Sequence, residues 1–441
     1  MNDNQDDQSF ADFVKDIENY KNVAIENSTS EETYISIIAQ LEQGIDVLEN
    51  LKALHEHIKH HKPSNFIIQN YNLIDNLINI ASESDDIYQV VCMILTFLTS
   101  LDYENIDTNT LIDFIFYHLE PNSPYINYSL YCFYNLEMSP YTSEPIHQNV
   151  DFSRFFSLTS LDENTDETTI SLILQILQGH INQDSDVSFV QAVLELAVQY
   201  LYTNRSYLQE TALPLIHLII YLFPDTMTTI YDQKLRETLL LNLYDLNPVI
   251  LRTSVDILAH LYKIGFRFEA TKEEVGNFLS LFYHSNIGIV NSVMSFTLKM
   301  LVDSDFIMDM LFVYKCFDEF QEIIEHGSFD HRMYITMFMA EILINTGDKY
   351  FRRLIKEKRF IFVFSMLSFE NPAVTNYIIP VLDRVFNEFS LSGKLDEIME
   401  IFYENDGQEF VEEYFETFSN DEAKIEEMNS FLLRYSINIS E

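Results

Sequence analysis

Apolar residues recur along most of the chain at spacings of three and four, the period of a helix with one buried face. The segment NPVILRTSVDILAHLYKIG, Asn247 to Gly265, shows the unit clearly: an Asn that can cap, a Pro at the first helical position, apolar Ile250, Val255, Leu258 and Leu261, and a closing Gly. A second Asn-Pro start at Asn371 places Val374, Ile378, Ile379, Leu382 and Val385 on Ile250, Ser254, Val255, Leu258 and Leu261. Weaker copies begin at Ser84, Asn122, Asp166, Asn204, Asn286 and Phe329, so that successive starts fall 38 to 44 residues apart. The intervals leave room for one or two further helices. Before Ser84, SNFIIQNYNLIDNLINIAS predicts a short helix and a longer one separated at NYN, where Asn tolerates a left-handed backbone.

A repeated helical unit cannot bury its apolar face alone, so such units stack on one another and need caps at the two ends. The interval is close to the roughly 40 to 47 residues of armadillo and HEAT arrays. The predicted fold is therefore all-α, an armadillo/HEAT-type right-handed α-solenoid of about eight to nine repeats. Three helices per unit is the armadillo pattern and two the HEAT pattern. Four regions follow: an acidic, mobile N-terminal segment at 1–30, an N-terminal capping helix at 31–62, the repeat array at 63–390 and an acidic C-terminal cap at 391–441. The capping helix is expected to run unbroken from Glu31 to Lys59, with Ile37, Ile38, Leu41, Ile45, Leu48 and Leu51 along one face.

Composition agrees with helix: only 9 Gly and 10 Pro in 441 residues leave too little punctuation for an all-β fold, and 47% hydrophobic residues suffice for a continuous core. Charge changes the picture more. Sixty-nine Asp and Glu against 26 Lys and Arg give a formal charge of -43, which repels a phosphate backbone and excludes nucleic acid as the expected partner. The same field favours a basic partner and also serves plain solubility. Cys92, Cys132 and Cys316 are scattered, without a CxxC, and read as buried structural thiols in a reducing compartment. The start of the chain lacks the features of a signal or transit peptide. Its longest apolar run, Ala212 to Phe223, contains His217 and falls short of the roughly 20 residues that span a bilayer. The expectation is a cytoplasmic or nuclear protein without membrane association, a monomer or one subunit of a complex.

The run from Glu31 to Leu101 resembles the capping helix and first repeat of importin-alpha: a leading helix, a proline-containing turn at Pro63, a short helix, a longer one and a third helix. That resemblance implies a groove in which Trp and Asn, one turn apart on each third helix, hold an extended basic peptide. The matching positions here are Met93 and Phe97, Tyr131 and Asn135, Leu213 and His217, and Asp256 and His260, followed by Ser295 and Lys299, Phe338 and Ile342, and Pro380 and Arg384. The register of the third repeat is ambiguous. Only Tyr131 with Asn135 keeps an aromatic and an amide, and the chain contains no Trp. Residues 1–30 carry Lys15 and Lys21 and no Arg, unlike the basic importin-beta-binding segment of that family.

Catalytic chemistry has no comparable support. HEHIKHHK places His57 and His61 four apart, on one face of a helix, yet HExxH fails because Lys59 stands where its second His belongs; a solvated, titrating helix end accounts for the cluster. No phosphate-binding glycine loop and no GxSxG occurs. Asp256 and His260 suggest a local ion pair when the imidazole is protonated. The expectation is a non-enzymatic scaffold without metal or cofactor that binds a protein or an extended, by charge basic, peptide. A divergent importin-alpha-like adaptor and a HEAT-like regulatory subunit of an enzyme complex are the alternatives.

Overall fold

Among the described residues, the recurring starts in the sequence fall on helix caps or on the residue beside one. In the computed structural model, which describes residues 15–17, 29–81, 84–101, 107–117, 119, 123, 125–159, 166–203, 205–267, 270–365 and 372–437, the side chains of Ser84, Asp166, Asn247, Asn286 and Ser328 accept from backbone N–H groups two or three residues on. These bonds satisfy donors that a helix start leaves orphaned. The seventh start thus lies at Ser328, one residue before the expected Phe329. Asn122, Asn204 and Asn371, together with nearly all of the acidic segment 1–30, lie outside the described residues.

The chain divides into two units, residues 1–231 and 232–441. In the first, α1 (Thr29–Glu42) and α2 (Val47–His60) precede α3 (Asn65–Asn70), α4 (Leu73–Ala81) and α5 (Asp85–Thr99). Then follow α6 (Thr108–Tyr117), α7 (Ile126–Met138), α8 (Ser143–Asn149), α9 (Glu167–His180), α10 (Val187–Leu201) and α11 (Ser206–Leu222). The expected capping helix is two helices, not one: Gly44 and Asp46 both take left-handed backbone, at φ 64° and 39°, and turn the chain between α1 and α2. Ile45, expected on the apolar face, is consequently 45% exposed. The break predicted at NYN is present, with Asn72 at φ 43° between α3 and α4.

The spine of this unit is the row α5, α7, α9, α11, each packed on the next, with α2 against α5. Its core is aliphatic and aromatic; Val91, Phe97, Phe133, Ile173 and Ile216 are wholly buried. Polar bonds repeat along the row at the repeat interval. Tyr88 and Ser129 share a buried bond of 3.1 Å between α5 and α7. Between α7 and α9, Asn127 donates to the Asp166 carboxylate at 2.6 Å, and Thr169 donates to Asn127 Oδ1 at 2.6 Å. Ser171 and Thr211 join α9 to α11 at 2.9 Å. Such partly buried pairs fix the register of helices that apolar contact alone would let slide.

In the second unit the row is α13 (Pro248–Lys263), α15 (Ile287–Asp303), α18 (Phe329–Asn345) and α20 (Pro372–Leu391), again packed in sequence. Its partners are α12 (Gln233–Leu241), α14 (Lys272–Ser280), α16 (Asp305–Val313), α17 (Cys316–His326) and α19 (Asp348–Lys356). Here α12 and α14 each run into a single 3-10 turn before the third helix, a HEAT-like pair, whereas α16, α17 and α18 form an armadillo-like triplet. The last helices are α21 (Leu395–Glu404), α22 (Gly407–Thr417) and α23 (Glu422–Tyr435). Of these α23 packs on α20, where Arg434 clamps both oxygens of Asp383 at 2.6 Å and Tyr435 donates to the Asp383 carbonyl at 2.8 Å.

Among the described residues no strand occurs, and no single helix is long and apolar enough to cross a membrane. The helix α11 passes on composition only together with Pro224–Ile230, to which it is bent by 113°, and most of its apolar side chains are buried. The architecture is an all-α repeat solenoid.

Candidate functional site

Burial separates the positions expected to form a ladder on the third helices. Phe97 and Leu213 are wholly buried core residues, and the edge of His55 packs on the Phe97 ring at 5.5 Å. Tyr131 is 9% exposed and Asn135 5%. The Asn135 amide donates to the Thr96 carbonyl at 3.2 Å, in the last turn of α5, a carbonyl that also accepts from the Ser100 amide and the Thr99 hydroxyl. Arg384, at the equivalent place on α20, does the same to α18: it donates to the carbonyls of Leu343, Ile344 and Thr346 at 2.6, 2.6 and 2.5 Å, with its guanidinium 4.2 Å above the Phe351 ring. In these two repeats the polar ladder position ties one third helix to the end of the previous one.

Met93, His217, Asp256 and His260 are half-buried and reach solvent. The richest stretch is on α13 and α15. His260 Nδ1 meets the Asp256 backbone carbonyl at 3.1 Å, while the Asp256 carboxylate faces Arg252 Nε at 3.8 Å, so the expected Asp256–His260 contact runs through the backbone. Burial is the first cause lowering the His260 pKa, with Lys299 and Lys263 adding to it. Lys299 is lowered by burial and by Lys263. Three basic side chains therefore crowd one another around a single carboxylate, a locally basic spot on a strongly acidic chain.

A pocket of about 490 Å³ lies among α12, α13, α14, α15 and α16, lined largely by apolar side chains that include Leu258, Val275, Phe278, Phe296 and Ile307. Arg267 and Glu274 supply charge at its wall; Arg267 donates to the Tyr262 carbonyl at 2.7 Å and lies 4.3 Å from the ring centroid. A mostly apolar cleft with few polar groups suits an apolar side chain of a partner.

The thiols of Cys92, Cys132 and Cys316 are free and buried, and burial pushes the first two up to about 12 and the third to about 11, which leaves them unreactive. His57 and His61 lie with ring centroids 4.6 Å apart and planes tilted by 37°, and Tyr34 meets His57 edge-on at 4.6 Å. The three metal-ligating side chains that converge among the described residues lie elsewhere: Glu137, His147 and His180. Their spacing in sequence carries no motif, because they come from two successive repeats.

No protein-family model matches the chain. No curated protein matches it either. Among solved structures it is similar to the crystal structure of an engineered protein, at 12% identity and a TM-score of 0.59, over 96% of this chain and 100% of that one. A designed armadillo repeat protein matches 53% of this chain and 99% of its own at 13% identity, with a TM-score of 0.39 that is too low to carry an argument. The first likeness concerns the fold alone, which is that of an all-α solenoid.

Proposed function

We propose that the chain is a non-enzymatic, armadillo-like scaffold that holds a protein partner along the exposed face of its third helices. The observation that carries this reading is the spot formed by Asp256, His260, Lys263 and Lys299 on α13 and α15. Lys299, disfavoured as a cation by burial and by Lys263, gains from an arriving carboxylate, and the apolar pocket takes an apolar side chain. The overall charge of -43 still steers basic segments toward the rest of the surface, so the partner suited to this chain carries both: a basic stretch and one acidic-apolar anchor. The import-adaptor role implied by the resemblance to importin-alpha gains no support from the ladder positions, since Phe97 and Leu213 are buried and Asn135 is committed to Thr96.

Affinity capture from lysate with the wild-type chain and with a K263E/K299E variant, followed by mass spectrometry and salt titration of the partner recovered, tests the proposal. The expected result is a partner retained by the wild type, lost from the variant, and weakened steeply by salt. A partner set indifferent to the double substitution overturns this face as the binding surface.

A further inference from the structure

Glu137 stands in the last turn of α7, His147 in α8 and His180 at the last position of α9. One ligand atom from each lies within 4.8 Å of the other two. The Glu137 side chain is 1% exposed, yet neither of its oxygens has a hydrogen-bond partner; His147 Nε2 and His180 Nδ1 are likewise buried and unpartnered. Four orphaned polar atoms at one point are far from the usual state of a protein interior, where such groups are nearly always satisfied. The approach of His147 Nε2 to Glu137 Oε1 is 3.5 Å, long for a hydrogen bond. It is, however, the separation of two ligands on a tetrahedral ion: bonds of about 2.0 to 2.2 Å place donor atoms about 3.3 to 3.5 Å apart.

The surroundings hold these groups in place. Phe152 stacks on His180 with centroids 3.6 Å apart and planes at 11°, and Phe189 meets the same imidazole edge-on at 5.4 Å. The two imidazoles stand at 82° to each other, 4.9 Å apart. Gly179 lies directly under the carboxylate, where a Cβ would come within 3.1 Å of Glu137 Cδ. Two of the three donors sit at helix C-termini, whose partial negative charge favours a cation.

We propose that Glu137, His147 and His180 form a binding site for a zinc-class divalent cation, which staples α8 and the end of α9 to the end of α7. Two imidazoles and one carboxylate are the donor set of zinc and its neighbours rather than of calcium or magnesium, which take oxygen ligands. Three protein donors leave a fourth position for solvent or for an atom of a partner. The site bridges two successive repeats, so occupancy stiffens the array at that junction. Burial lifts the Glu137 carboxyl to about 7, and burial followed by the proximity of His147 lowers the His180 imidazole to about 4. A bound cation would hold the carboxylate as the anion and both imidazoles as neutral ligands.

The test is titration of chelator-treated full-length protein with zinc chloride by calorimetry, with cobalt(II) as a visible probe, and thermal melts with and without metal. The expected result is one saturable site per chain, a tetrahedral cobalt spectrum and a metal-dependent rise in Tm. Affinity should fall roughly a hundredfold in H147Q, in H180Q and in E137Q, with circular dichroism confirming that each remains helical. The G179A variant, which keeps all three ligands but displaces the carboxylate, should weaken binding as well. Wild-type protein that is folded and shows no saturable 1:1 binding overturns the proposal whatever the variants do. So does zinc binding that persists unchanged in H147Q and H180Q, since the ion would then sit on other side chains such as His57 and His61.

Discussion

Glu137 shows how burial alone turns a common side chain into a pH-sensitive one. Its folded-state pKa, near 7, lies above the ordinary 4.5, so the folded chain binds the proton more tightly than the unfolded one. The stabilising contribution of the protonated carboxyl is complete below about pH 4.5 and is lost as pH rises through about 7. His180 runs the other way: lowered from 6.5 to about 4, its contribution is complete above 6.5 and is lost as pH falls through about 4. In metal-free protein, E137Q should therefore match the wild type at about pH 4 and exceed it at about pH 8, by on the order of 3 kcal/mol at most. Urea denaturation at the two pH values measures this, and equal stabilities at pH 8 would place the carboxylate in water. At this scale the sequence was least legible. The buried state of the three cysteines followed from their apolar helices, but nothing in the spacing of Glu137, His147 and His180 brings them together. Conversely, the conspicuous HEHIKHHK, expected to be a solvated helix end, carries His55 into the core at 6% exposure.

At the scale of elements, polar starts were the most reliable signal because a cap is a local requirement: an orphaned N–H group needs an acceptor two or three residues earlier whatever the rest of the chain does. Asn247 provides one at 2.9 Å from the Val249 amide, so loss of that cap in N247A should cost about 1 kcal/mol. Asp166 both caps α9 and accepts from Asn127 across to α7, so D166A should cost about 2 kcal/mol. Urea melts of the two variants compare them directly, and a D166A cost no larger than that of N247A would remove the inter-helix bond from the account. The break in the leading helix was missed for the opposite reason. Apolar spacing continues through Ile45, and only the left-handed backbone at Gly44 and Asp46 interrupts it.

Over the whole molecule, 43 uncompensated negative charges repel one another most strongly in the compact state. Moderate salt should therefore raise Tm, with most of the gain between low and physiological ionic strength, where the screening length falls to about 8 Å. A Tm that is flat or falls over that range in differential scanning calorimetry would mean that cations such as Arg434 and Arg384 already offset the repulsion locally. The sequence by itself determined the helical class and, at Ser84, Asp166, Asn247 and Asn286, the places where third helices begin, because periodicity and capping act over a few residues. Only the tertiary structure decided which ladder positions are core, as with Phe97 and Leu213. It alone turned Asn135 and Arg384 back onto the preceding helix, and it alone assembled Glu137, His147 and His180 into one cluster. These outcomes depend on contacts between residues some 30 to 40 positions apart, which stacking of units creates and no local pattern encodes.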